Sequence, residues 1–151
     1  MHLVALNLTD LLLGLWQGTI QCDASDKDAW DWVVFTGNTW KEHGCRVAEL
    51  HPYLPGSFDR PPHNPADKIS SGYKAWEYLT YIFGACPALL QGILPNKYWQ
   101  NYCKLVHGVR LVHQRSITKE QLIEAHTLLV QFVWEFKEIY YQRKASQLHF
   151  C

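Results

Sequence analysis

Cys103 and His107 stand four residues apart, the spacing that places two side chains on one face of a helix. A thiolate and an imidazole so placed could share a metal ion, or serve as nucleophile and base. Neither chemistry is complete. Zinc takes four ligands, usually in tight local pairs, and no second pair with such spacing occurs among the eight His and five Cys. A nucleophilic Cys needs a lowered pKa and an oriented base. A mid-helix Cys among apolar neighbours more often packs as a small core residue. His149 and Cys151 read as a frayed terminus. The acidic candidates are Asp10, Asp23, Asp26, Asp28 and Asp31. The last four gather near an expected helix start, where the helix dipole favours negative charge, so helix-start acidity is the plainer reading. The residues therefore point to no catalytic group, no bound metal and no cofactor.

Cations come next. Lys104, Arg110 and Arg115 lie on one expected helix and its exit, and Arg143-Lys144 near the end. His51, Arg60 and Lys68 lie in or beside a proline-rich stretch. Arg60, Lys68, Lys104, Arg110 and Arg115 are the candidate DNA contacts. Lys plus Arg and Asp plus Glu are fourteen each, so the chain lacks the broad positive field that draws a protein to phosphates. Weak DNA binding at most is expected, and solvated surface is the plainer reading of these cations.

The elements that must position these residues follow from periodicity. Tyr98, Tyr102, Leu105, Val109 and Val112 recur at helical spacing, giving a helix over 95–113 with Pro95 at its first position. Arg115-Ser116-Ile117 stops it. Thr118 and Gln121 have capping-box spacing for a second helix over 118–143, with Leu122, Leu129, Val133, Phe136 and Tyr140 on its inner stripe. The short turn forces an antiparallel hairpin, with Leu105, Val109, Leu129 and Val133 buried. Upstream, a helix over 2–18 ends at Gly18, with Thr9 as an alternative cap of a later start. A Trp-rich helix follows Ser25 and runs to Glu49 or Leu50, with Trp30, Val33, Val34 and Trp40 inward and a middle weakened by Gly37 and Asn38. Residues 51–71 hold five of the seven prolines and read as a long loop, clamped onto the bundle by Tyr53, Leu54 and Phe58. A third helix carries Tyr73, Trp76, Tyr78 or Leu79, and Phe83, and is broken by Gly84 and Pro87. A short helix over 88–93 leads to the hairpin. Alternation suggestive of a strand occurs only near 32–36.

The fold class is thus all-α, an irregular bundle of about five to six helices in a single domain over 1–151. Hydrophobic residues are 48% and charged residues 19%, which excludes a disordered chain. Seven Trp and eight Tyr supply a large aromatic core, and any ring left outside it is sticky. Five widely spaced Cys without a secretory leader point to reduced thiols in nucleus or cytoplasm, not to secretion. The apolar run at Leu11-Leu12-Leu13 is too short to span a membrane.

Several blocks, in order, resemble the CACTA (En/Spm) transposases and their fungal Kyakuja-Dileera-Zisupton relatives. They are Tyr53-Leu54-Pro55-Gly56-Ser57-Phe58-Asp59-Arg60-Pro61, Lys68-Ile69-Ser70-Ser71-Gly72-Tyr73-Lys74-Ala75-Trp76-Glu77 and Leu94-Pro95-Asn96-Lys97-Tyr98-Trp99. Val109-Arg110-Leu111, Arg115-Ser116-Ile117-Thr118, Phe132-Val133-Trp134-Glu135-Phe136 and Tyr140-Tyr141 continue the series. Met1-His2 looks like the Met-His pair that closely follows a catalytic acid in that family. The resemblance implies a helical insertion into a ribonuclease-H-like fold, lying between the second and third catalytic acids. It implies that the carboxylates that bind Mg or Mn for strand transfer fall outside this segment. The chain would be a non-catalytic fragment or remnant of a DNA transposase, partnered by the transposase core or by itself. The alternative is a small helical protein-interaction module with no DNA role.

Overall fold

The computed structural model describes residues 3–20, 30–55, 60–69 and 72–141, and no strand occurs among them. Helix α1 (Leu8–Gln17) continues a π-helical turn (Leu3–Asn7). The Thr9 hydroxyl donates to the Ala5 carbonyl at 2.8 Å, inside the helix, so it caps no new start. Gly18 ends α1 at φ 67, the left-handed conformation that glycine adopts without penalty, and its N–H reaches back to the Gly14 and Leu15 carbonyls. Leu12, Leu13, Leu15 and Trp16 point into the core.

The expected Trp-rich helix begins later than its apolar spacing suggests. Residues 30–36 are not helical, because the Val34 and Phe35 N–H groups both donate to the Trp16 carbonyl at 2.9 Å and tie the segment to the end of α1. Gly37 and Asn38 start helix α2 (Gly37–Glu49) instead of weakening its middle. Asp31 therefore sits in a turn, not at a helix start. Asp23, Asp26 and Asp28 lie outside the described residues.

The proline-rich stretch is more regular than a loop. It holds a 3-10 turn (His51–Tyr53) and a short helix α3 (Pro65–Lys68), whose Asn64 cap accepts from the Ala66 N–H. Asn64 Oδ1 lies 2.0 Å from where a Cβ on Gly44 would stand, so only glycine lets α2 meet this segment. Of the expected clamps, Tyr53 is 84% exposed and anchors nothing, Leu54 is half-buried, and Phe58 lies outside the described residues.

Helix α4 (Ala75–Tyr78) runs without a break through a π-helical segment (Leu79–Ala85) into α5 (Cys86–Leu89). Gly84 does not stop it. Pro87 has no N–H for the Phe83 carbonyl four residues back. Arg110 fills that vacancy, donating from Nε to the Phe83 carbonyl at 2.7 Å and from a terminal nitrogen to Gly84 at 3.0 Å. Trp76, expected inward, is exposed. The helix expected over 88–93 is shorter: α5 ends at Leu89, and a turn through Gly92 (φ 80) follows.

Helices α6 (Asn96–Val112) and α7 (Lys119–Phe136, extended by a π segment, Lys137–Tyr141) form the expected antiparallel hairpin. Asn101 reaches Phe132 and Glu135 while His107 lies beside Glu124, so the two helices run in opposite directions. Pro95 is the cap just before α6, not its first residue. The capping box forms as read: Gln121 N–H donates to the Thr118 hydroxyl at 3.2 Å, and Thr118 N–H to the Gln121 side chain at 2.9 Å. The inner stripe of α7 keeps Leu129, Phe136 and Tyr140, but Leu122 and Val133 face outward and Ala125 and Phe132 are buried in their stead. Gly108 sets this rotation. A Cβ there would stand 2.8 Å from Leu129, so glycine lets the helices close on the Ala125–Leu129 side.

The core is aromatic. Trp16 meets Tyr102 edge-on at 5.1 Å and donates its indole N–H to the Tyr140 hydroxyl at 3.0 Å. Trp30 stacks on Trp32, which meets Tyr98 and Tyr140. Each such ring pair contributes about 0.5–1.5 kcal/mol beyond the area it buries.

Candidate functional site

The chemistry-bearing residues divide into those the core absorbs and those left outside. Cys103 and His107 share a face of α6, and both line a small cavity of about 380 Å³ with Pro87, Val106 and Arg110. Burial raises the Cys103 pKa, with Arg110 drawing it partly back, the opposite of the shift that activates a thiol. His107 faces Glu124 at 3.7 Å. No group of three or more His, Cys, Asp or Glu able to hold a metal occurs among the described residues. Cys45, Cys86 and Cys103 are free thiols.

Asp31 is knotted to α6. It pairs with Lys97 at 2.8 Å and accepts the Tyr98 hydroxyl, and the Lys97 ammonium lies 4.6 Å over the Tyr98 ring. Burial pushes the Asp31 pKa up, but the bonds from Lys97 and Tyr98 outweigh this and hold it below the usual range. It is a staple between the 30–36 segment and α6. Asp10 stands in the first turn of α1, as the dipole favours.

Two of the five candidate DNA cations are engaged by other groups. Lys104 bonds Glu135. Arg110 is committed to the Phe83 and Gly84 carbonyls. Six residues separate these two on α6, about 120° apart around the helix. Arg115 stands in the hairpin turn, Arg60 is exposed, and Lys68 closes α3. Met1 and His2 lie outside the described residues, as do Arg143 and Lys144.

The sequence reading missed a buried polar cluster. His43 Nε2 lies 2.8 Å from the Tyr81 hydroxyl, and both side chains are sealed from solvent. Burial, with Arg46 adding to it, pushes the His43 pKa down to about 4. Burial likewise pushes the Cys86 thiol up. Glu77, fully buried, accepts from the Lys74 N–H at 2.8 Å and pairs with His63 at 2.6 Å. These groups have catalytic types, but His43, Tyr81, Cys86 and Glu77 reach no solvent, so they act as internal struts.

What the fold leaves open is apolar surface. A groove of about 740 Å³ is walled by Leu50 and Leu54 from the end of α2 and the 3-10 turn, Leu79 and Phe83 from the π segment, and Val109 from α6. Tyr53, Trp76, Arg110 and His113 rim it. Its walls come from three distant stretches of chain, so no local spacing could have announced it. A second apolar surface is the outer face of α7, with Leu122, Ile123, Val130, Val133 and Trp134 all exposed. No helix among the described residues is long and apolar enough to cross a membrane. Comparison of the chain with protein-family models, with curated proteins and with solved structures finds no match.

Proposed function

We propose that this chain is a helical docking domain, of the kind inserted into the ribonuclease-H-like core of CACTA-type DNA transposases, with no strand-transfer chemistry of its own. The groove carries the reading. A concave apolar surface of about 740 Å³, backed by rigid helices, suits a segment of partner polypeptide more than a substrate of strand cleavage, which calls for converging carboxylates and metal. The sequence resemblance supplies the partner: a helix of the transposase catalytic core. Mg or Mn would belong to that core, and duplex DNA would bind this chain only weakly because its net charge is zero.

Isothermal titration of the chain with a ribonuclease-H-like core from a CACTA-type transposase tests the reading. Saturable binding is expected, lost in Leu79→Glu while circular dichroism stays unchanged. Failure of the wild-type chain to bind such a core would overturn the transposase partner. The same groove without a transposase partner describes the second reading, a protein-interaction module with no DNA role.

A further inference from the structure

Arg110, at the rim of the groove, carries a charge that its bonds do not use. The lysines of α6 each meet a carboxylate: Lys97 pairs with Asp31, and Lys104 with Glu135. Arg110 has no carboxylate partner among the described residues. It bonds only the neutral carbonyls of Phe83 and Gly84, so its charge is left at the groove. Satisfying the carbonyl that Pro87 leaves free takes a donor, not a charge. A guanidinium has five N–H groups. The two carbonyls take one from Nε and one from a terminal nitrogen, and the rest stay on the two terminal nitrogens. The planar group is thereby held in place with a fork left over, the arrangement that grips both oxygens of a carboxylate. No Asp or Glu stands among the described residues that line the groove. His113, beside Arg110 at the rim, is neutral or cationic, and its Nδ1–H donates to the Val109 carbonyl at 2.8 Å.

Building on the groove as a docking surface, we propose that its partner segment is an amphipathic helix with an Asp or Glu beside its apolar stripe, the carboxylate gripped by the free fork of Arg110. The groove offers apolar side chains and, among the described residues, no sheet edge. An extended segment would find no ladder there for its backbone N–H and C=O groups, whereas a helix brings them already paired. Leu79, Phe83 and Val109 take the apolar stripe. Arg110 and His113 stand together at the end of α6, so the acid belongs at one end of the bound helix and fixes its direction. A duplex phosphate would fit the fork too, but its backbone brings no apolar surface to cover Leu79, Phe83 and Val109.

Fluorescence anisotropy of the full chain with three labelled helical peptides tests this partner chemistry. The peptides share a Leu-rich stripe and differ only in the residues that border it: Glu, Gln or Lys. The Glu peptide is expected to bind roughly threefold tighter than the Gln peptide, or more, at low salt, and the Lys peptide weakest. Added salt should narrow the gap. Leu79→Glu should lose the Glu and Gln peptides. Arg110→Met, with circular dichroism unchanged, should bind those two alike, and the comparison of peptides on the wild type decides the matter even where that variant unfolds. Equal affinity of the wild type for the Glu and Gln peptides, still lost in Leu79→Glu, overturns the acidic partner and leaves the docking reading standing. Failure of all three peptides to bind overturns it as well, and titration with the transposase core then decides the docking reading separately. Duplex DNA that binds the wild type but not Arg110→Met, where the Glu peptide fails, overturns it in favour of a phosphate ligand.

Discussion

The two faces of α7 are both apolar, yet one is core and the other is surface. The inner face presents Ala125, Leu129, Phe132 and Phe136 to α6; the outer face presents Leu122, Ile123, Val130, Val133 and Trp134 to solvent. Periodicity identifies a helix but cannot choose between two apolar stripes on it. The choice is made by the partner helix. Gly108 and Ala125 are small where the axes approach, and their closeness turns Leu129 and Phe132 inward and leaves Leu122 and Val133 outside. An apolar stripe excluded from the core in this way is a candidate for contact with another molecule.

Phe132→Ala should give the largest difference between the faces. Phe132 is buried in the core beside Phe136, and its loss should cost about 3–5 kcal/mol in urea melts. A cost under about 0.5 kcal/mol would mean that the hairpin packs on another stripe.

Acid comes next and tests how tightly the core is sealed. The unfolded chain protonates His43 near its ordinary pKa of about 6.5, whereas the folded chain does so only near about 4. The unfolded state therefore takes up the proton first as pH falls, and stability drops between those two values and is flat above them. The loss between ~pH 7.5 and ~pH 4.5 should be about 2–3 kcal/mol. His43→Gln should lack most of this slope, and an unaltered slope in that variant would place its origin elsewhere.

Gly108→Val should cost about 1–3 kcal/mol, because its Cβ meets Leu129 and forces the helices apart. A neutral or stabilising result would show that α6 and α7 do not close there. Val133→Ala should be the mildest, under about 0.5 kcal/mol in a dilute monomer, because the side chain is about half exposed. A larger loss would return Val133 to the inner stripe.

How much of this was legible in the sequence depended on whether the deciding interactions were local. The hairpin, its Thr118–Gln121 cap and the Gly18 terminus rest on neighbours a few residues apart, and these were readable. Helical spacing extends over 30–36 although that stretch also alternates, and the Trp16 carbonyl, far away in sequence, holds it out of the helix. The break expected at Pro87 does not occur because Arg110, from another helix, bonds the carbonyl that Pro87 leaves free. The groove and the His43–Tyr81 pair were invisible for the same reason: their residues converge only in three dimensions. Arg110 was singled out for its charge, and its observed contacts are with the backbone of the π segment.

Hydrogen exchange of the chain, alone and saturated with a ribonuclease-H-like transposase core, tests the docking account most directly. The account predicts slowed exchange in the groove wall, over Leu79–Ala85 and at the end of α2, with exchange in the middle of α7 unchanged when total chain concentration is kept low. Protection confined to other segments, or none at all under binding conditions, would contradict it.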